Sequence, residues 1–156
     1  MGKPTARRFV QYLVGLGVVD AVDGKIGGVV HAAMGLDESL FSTMSNESWH
    51  TGIDPKVSGI WNLHNGIQHN GKDSELRFFL MMSSISGSVG TVTEGNYCAG
   101  NHFLDMFARY RRAQGRPALA IGFGMISEIG YLHENTDIEA LLLRRGIQTI
   151  NEDEFL

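Results

Sequence analysis

Three short apolar runs punctuate the chain: Val29–Ala33, Phe78–Met82 and Ala118–Phe123. Each is shorter than an ordinary helix, largely unbroken by polar residues and bounded by turn formers, which is the pattern of buried strands. Between them the apolar positions recur at threes and fours. Val57, Ile60, Trp61, His64 and Ile67 make one helical face, and Ala99, Phe103, Met106, Phe107 and Tyr110 make another. Asp54 and Pro55 read as the N-cap and first residue of the earlier helix. Arg111, Arg112, Gly115 and Pro117 close the later one. The order βαβαβ predicts a Rossmann-like α/β fold, a parallel sheet with right-handed crossovers. Beyond the last strand, Gly124–Gly130 reads as a loop. Thr136-x-x-Glu139 is then a capping box for a short helix through Leu143, stopped by Gly146. Ahead of the first strand, Phe9, Tyr12, Leu13, Leu16, Val18 and Val19 fit one amphipathic helix broken by Gly15 and Gly17. Residues 1–26 therefore stay outside the sheet in this reading.

Composition narrows the picture. With 156 residues, 43% of them hydrophobic and 19% charged, the chain suits one globular domain. A net charge of −4, with no basic block beyond Arg111-Arg112 and Arg144-Arg145, argues against nucleic acid as a partner. The single cysteine, Cys98, excludes an internal disulfide and fits a reducing, cytoplasmic setting. No apolar run approaches the ~20 residues that cross a bilayer. Lys3, Arg7 and Arg8 hint at a targeting peptide, but Asp20 and Asp23 follow without a small-residue cleavage site. His64, His69 and His102 form no ligand set, so no metal is expected. Gly15-Leu16-Gly17 lacks the third glycine of a dinucleotide fingerprint.

Candidate chemistry gathers between Phe78 and Gly115. Ser84 lies at the carboxyl end of a strand, where open parallel sheets place their ligand crevice. Tyr97 and Asn101 are one helical turn apart and are expected on one side, away from the apolar stripe. A hydroxyl and a phenol so placed can converge on one carbonyl oxygen, although an anchoring tyrosine and loop serines are the more ordinary outcome for such residues. Lys56 falls in a first helical turn, where the helix dipole disfavours a surface cation. Ala32 and Ala33 are small enough at a strand end to admit a flat ligand or close helix packing. His31 is expected to be a packed, hydrogen-bonded histidine.

The stretches SSISG…NYCAGNHFLDMFARYRR, GGVVHAAMGLDESLF, HTGIDPKVSGIWNLH and GMISEIGYLHEN together resemble the ketoreductase domain of a fungal highly reducing polyketide synthase. That domain belongs to the short-chain dehydrogenase/reductase superfamily. The resemblance runs from Gly27 to the C-terminus. Asn101 stands where the superfamily usually has lysine, and Lys56 stands upstream, an exchange similar to that of the ketoreductase branch. Leu36-Asp37-Glu38 falls where one stereochemical class of bacterial synthases has Leu-Asp-Asp.

The resemblance implies that residues 27–156 are a partial ketoreductase domain, the C-terminal half of the fold, with the N-terminal nucleotide-binding half missing. It implies NADPH as cofactor, although no glycine-rich first turn is present to seat a pyrophosphate. The implied reaction reduces a 3-oxoacyl chain, carried on an acyl carrier protein, to the 3-hydroxyacyl form, with other synthase domains as partners. The implied catalytic residues are Lys56, Ser84, Tyr97 and Asn101. The implied cofactor contacts are Ala32, Ala33, Met34, Lys56, Tyr97, Gly124 and Met125. Tyr97 would protonate the carbonyl oxygen while Ser84 holds it. A phenol ordinarily has a pKa of ~10 and releases its proton more readily beside a cation, the role assigned to Lys56. Asn101 would order the helix, a water or the lysine. A second reading is a truncated, catalytically silent relative serving as a binding or structural piece. In either case the outer edge of the Val29–Ala33 strand is expected to lack a partner, because a helix cannot supply strand hydrogen bonds.

Overall fold

In the computed structural model, which describes residues 19–22, 25–71, 73–125, 140, 143, 144 and 148–150, four strands lie side by side. They are β1 (Val19–Val22), β2 (Lys25–His31), β3 (Phe78–Ser84) and β4 (Leu119–Phe123), in that spatial order. β2, β3 and β4 form a parallel α/β sheet. β2 and β3 are in register from Gly28 opposite Phe78 to His31 opposite Met81. The expected strands are all present with shifted ends. β2 begins four residues before Val29 and stops at His31, leaving Ala32 and Ala33 exposed beyond it. β3 runs on through Ser84.

β1 corrects the expectation for the first 26 residues. Val19–Val22 is a strand paired antiparallel with β2, from Val19 opposite Val29 to Val22 opposite Lys25. The outer edge of β2 therefore has a partner. The signal was legible: Asp23-Gly24 is a favoured hairpin dipeptide between β-branched positions. These two residues, and the expected helical positions Phe9 to Val18, lie outside the described residues.

Helices follow the first strands and pack on the sheet and on one another. α1 (Asn46–Ile53) is capped by Ser45, whose Oγ accepts from the Ser48 N–H at 3.0 Å. α2 (Val57–His69) follows at once. Asp54 is not its N-cap, as expected, but the C-cap of α1, with its N–H donating to the His50 carbonyl at 3.0 Å. Pro55 has no N–H to extend α1. The Gly59 N–H reaches back to the Asp54 carbonyl at 3.0 Å, so the chain re-enters a helix within a turn, with Lys56 as its N-cap. α3 (Ser86–Val89) is a single turn, and α4 (Gly95–Ala113) is the longest element.

The core joins Val29, Phe79 and Met81 of the sheet to Ile60, Leu63 and Ile67 of α2 and Leu104, Phe107 and Ala108 of α4. β3 is buried at Phe79, Met81 and Ser83 but exposed or half-buried at the alternate positions. Its second face is therefore only partly covered by this chain. On that face the Phe78 ring lies over Gly28, where a Cβ would collide with it.

α4 is rotated from its expected orientation. Its buried residues are Asn96, Gly100, Asn101, Leu104, Phe107, Ala108 and Arg111, whereas Met106 and Tyr110 of the expected stripe are 46% and 44% exposed. The stripe counted hydrophobic side chains, but three polar ones are buried here with partners. Arg111, expected at a helix end in solvent, is fully buried. Its Nη2 donates to Asp73 Oδ1 at 2.7 Å, its Nη1 to His64 Nδ1 at 2.6 Å, and its guanidinium lies 4.1 Å from the centre of the Phe79 ring. Arg116 Nε sits 2.8 Å from the other Asp73 oxygen.

The chain divides into two compact units, Met1–Gly122 and Phe123–Leu156. In the second, the Ile150 N–H donates to the Met125 carbonyl at 2.7 Å, and Ala140, Leu143 and Arg144 are helical. Thr136, Glu139 and Gly146 of the expected capped helix lie outside the described residues. Among the described residues no helix is long and apolar enough to cross a membrane.

Candidate active site

Lys56 is the centre of the site. Pro55 turns the chain between α1 and α2 so that the Lys56 side chain runs inward, leaving the residue 2% exposed. Gly100 makes room for it, since a Cβ there would come within 3.1 Å of the lysine Cδ. The ammonium donates to the Met82 carbonyl on β3 at 3.2 Å and lies 5.4 Å from the centre of the Tyr97 ring. Among the described residues no carboxylate balances it, and burial pulls its pKa down from 10.5 to about 8. His31, at the end of β2, fixes the turn: its Nε2 bonds the Pro55 carbonyl at 3.0 Å. Burial, and next the Lys56 charge, hold the His31 pKa below its ordinary value, so it serves as a neutral, packed histidine that donates to Pro55.

Tyr97 is half-buried in the first turn of α4. Asn101 lies one turn on and is fully buried, whereas the expected helix orientation had it away from the apolar stripe. Its Nδ2 donates to the Tyr97 carbonyl at 2.9 Å, and its Oδ1 is a buried acceptor with no protein partner. The carbonyl of Asn101 accepts from the Ser83 hydroxyl at 3.1 Å, which locks the end of β3 to α4. Ser84 accepts twice from Ser86, from its N–H at 3.2 Å and its hydroxyl at 3.0 Å. Its own O–H remains free to donate.

The structure thus brings Lys56, Tyr97 and Asn101 together and ties Ser84 to Ser86. Ala32, Ala33 and Met34 are exposed just past β2. Gly124 and Met125 belong to the second unit. Among the described residues no group of three or more His, Cys, Asp or Glu could hold a metal.

The sequence pattern of the KR domain matches residues 15–128. The chain belongs to the KR domain family. This KR domain is 68% identical over 136 residues to the highly reducing polyketide synthase anuA of Penicillium roqueforti, covering 87% of the chain and 6% of that protein. It is 67% identical over 138 residues to the highly reducing polyketide synthase srdA of Neurospora crassa, covering 88% of the chain and 6% of that protein. The chain therefore spans about 6% of the length of these curated relatives. Among solved structures, PlmKR1, a ketoreductase from the first module of phoslactomycin biosynthesis in Streptomyces sp. HK803, is 29% identical with a TM-score of 0.72. That match covers 93% of this chain and 31% of the other. An A1-type ketoreductase, 21% identical, shares the fold with a TM-score of 0.78 over 96% of this chain and 30% of the other.

Several residues that build this KR domain's site carried little sequence signal. Asn96, Ser83 and Ser86 are polar residues buried by tertiary contacts. Gly52, Gly87 and Gly100 are helical glycines at close approaches, and isolated glycines inside helical patterns were the available hint.

Proposed function

We propose that this chain carries the proton-transfer side of a ketoreductase active site acting on a 3-oxoacyl thioester. The observation that carries the reading is a buried ammonium with no carboxylate partner among the described residues, held beside the Tyr97 ring. Burying an unpaired cation costs stability, and a phenol that must give up its proton supplies a reason for it. As charge develops on the phenol oxygen, the ammonium stabilises it. Tyr97 protonates the carbonyl oxygen, and the free Ser84 O–H orients that oxygen beforehand. Asn101 holds the first turn of α4 against its own helix and against β3.

NADPH fits the residues present at one end. Ala32, Ala33 and Met34, exposed past the end of β2, would pass beside its ribose, and Lys56 is a cation available to its ribose hydroxyls. When bound, NADPH supplies the hydride that goes to the carbonyl carbon. The acyl chain would arrive on an acyl carrier protein, as fits a piece of a polyketide synthase.

The test is reduction of a 3-oxoacyl thioester by the chain joined to the preceding part of a KR domain. Tyr97→Phe should lower the rate by about 10²–10⁴-fold, the usual share of general acid catalysis, and Ser84→Ala by somewhat less. Full activity in Tyr97→Phe would remove the assignment. Titrating NADPH against the chain by itself, followed by nicotinamide fluorescence, distinguishes a binding-competent piece from a silent one.

A further inference from the structure

We infer that Asn96 is a positioning residue of this site, resting on the reading of Tyr97 as proton donor. Its carboxamide fixes the Tyr97 backbone, α1 and the segment 37–39 in a single arrangement. Asn96 is fully buried. Its Nδ2 donates to the Ser48 carbonyl at 2.7 Å and to the Asp37 carbonyl at 3.1 Å, while its Oδ1 accepts the Tyr97 N–H at 2.8 Å. Both amide hydrogens and the acceptor are used. A carboxamide is the side chain of this size that offers two donors and an acceptor at once. α1 leaves a slot for it: a Cβ on Gly52 would stand 2.5 Å from the Asn96 Cγ and Nδ2.

The neighbouring contacts tie the same segment to the start of α4. The Ser39 N–H donates to the Thr93 carbonyl at 2.8 Å, and Ser39 bridges Glu94 in parallel. Thr93 holds a left-handed φ of 73°, uncommon for a residue other than glycine. Just past this segment, Leu40 and Phe41 are 54% and 76% exposed, and the Phe41 ring lies 3.8 Å from the Cβ position of Gly95. Residues 37–41, which end in the exposed apolar pair Leu40-Phe41, are thus a flank set at a fixed distance from Tyr97, and Asn96 sets that distance. Loss of its donors should both misplace the phenol and free the flank.

Asn96→Asp keeps an acceptor for the Tyr97 N–H but turns a carboxylate toward two carbonyl oxygens. Gly52→Ala crowds the same carboxamide from α1 without touching Tyr97. In the full chain, each should raise amide exchange of residues 36–41 and of Tyr97 by about ten-fold, the loss of one or two net hydrogen bonds. Exchange of Phe79–Ser83 should stay unchanged, and the double variant should exceed neither single one. In the chain joined to the preceding part of a KR domain, Asn96→Asp should lower kcat by about 100-fold after correction for the folded fraction, with a rise in KM. Uniform exchange changes, no change at residues 36–41, or a kcat within about two-fold of the parent (under 0.5 kcal/mol of barrier) would overturn the inference. Failure of the wider reading looks different: Tyr97→Phe would stay active while the exchange pattern of Asn96→Asp remained.

Discussion

Under the proposed function, Lys56 sets stability against catalysis at one residue. Its folded pKa, about 8, lies below the 10.5 of an ordinary lysine. Between these values the unfolded chain binds more protons, so stability rises with pH across that window and the burden of the cation is fully present below it. That lowering amounts to roughly 3 kcal/mol at about 1.36 kcal/mol per pKa unit. Lys56→Met should therefore be more stable than the parent at pH 7 by about 1–3 kcal/mol in urea unfolding. The difference should shrink as pH climbs past 8 toward 10.5. The same variant should lose reductase activity, and the parent's fall in rate near pH 8, where the ammonium is lost, should be absent from what remains. A parent more stable than Lys56→Met at pH 7 would contradict this account. His31 and His64 act in the opposite pH range. Burial lowers both below 6.5, with Lys56 adding to the effect at His31 and Arg111 at His64. Below that value the unfolded chain takes up protons that the native state resists, so unfolding should become easier as pH falls from 6.5, as a series of thermal melts would show.

At the scale of elements, β2, β3, β4, α2 and α4 were legible because apolar run length and helical spacing report burial directly. What failed was orientation and capping. The stripe read on α4 ignored Asn96, Asn101 and Arg111, since a sequence shows polarity but not the partner that makes a buried polar group affordable. α1 went unseen because eight residues ending at a proline carry little periodicity. The resemblance pointed to Lys56, Ser84, Tyr97 and Asn101, while spacing put Tyr97 and Asn101 one turn apart and Ser84 at a strand end. The buried Asp73–Arg111 pair fixes the far end of α4 against the 3-10 turn Asp73–Glu75 and β3. Asp73→Ala would leave the Arg111 guanidinium buried without its counter-charge and should cost about 3–5 kcal/mol. A loss under about 1 kcal/mol, the scale of an exposed pair, would mean the pair is solvated in solution.

At the scale of the whole molecule, β1 changes what holds the sheet. The edge of β2 is paired with β1, four residues long, so among the described residues the outer edge lies on a short strand, a common way of blunting self-association. Deleting residues 1–22 should uncover β2 and shift the chain toward oligomers in sedimentation, with a lower unfolding temperature. An unchanged monomer with an unchanged melt would show that β1 does not perform this role. The absence of a glycine-rich turn was visible in the sequence. β1 is hard to read from sequence because it is short and its first residue, Val19, continues an apparent helical stripe.

The buried lysine also bears on descent. A position where the native residue weakens the fold, and where a neutral side chain of similar length would strengthen it, is held only by selection for what that residue does. In a lineage released from that selection, position 56 would be among the first to drift toward methionine or leucine, because drift there makes the protein sturdier. This chain still carries Lys56, together with Ser84 and Tyr97, as the proposed proton transfer would require.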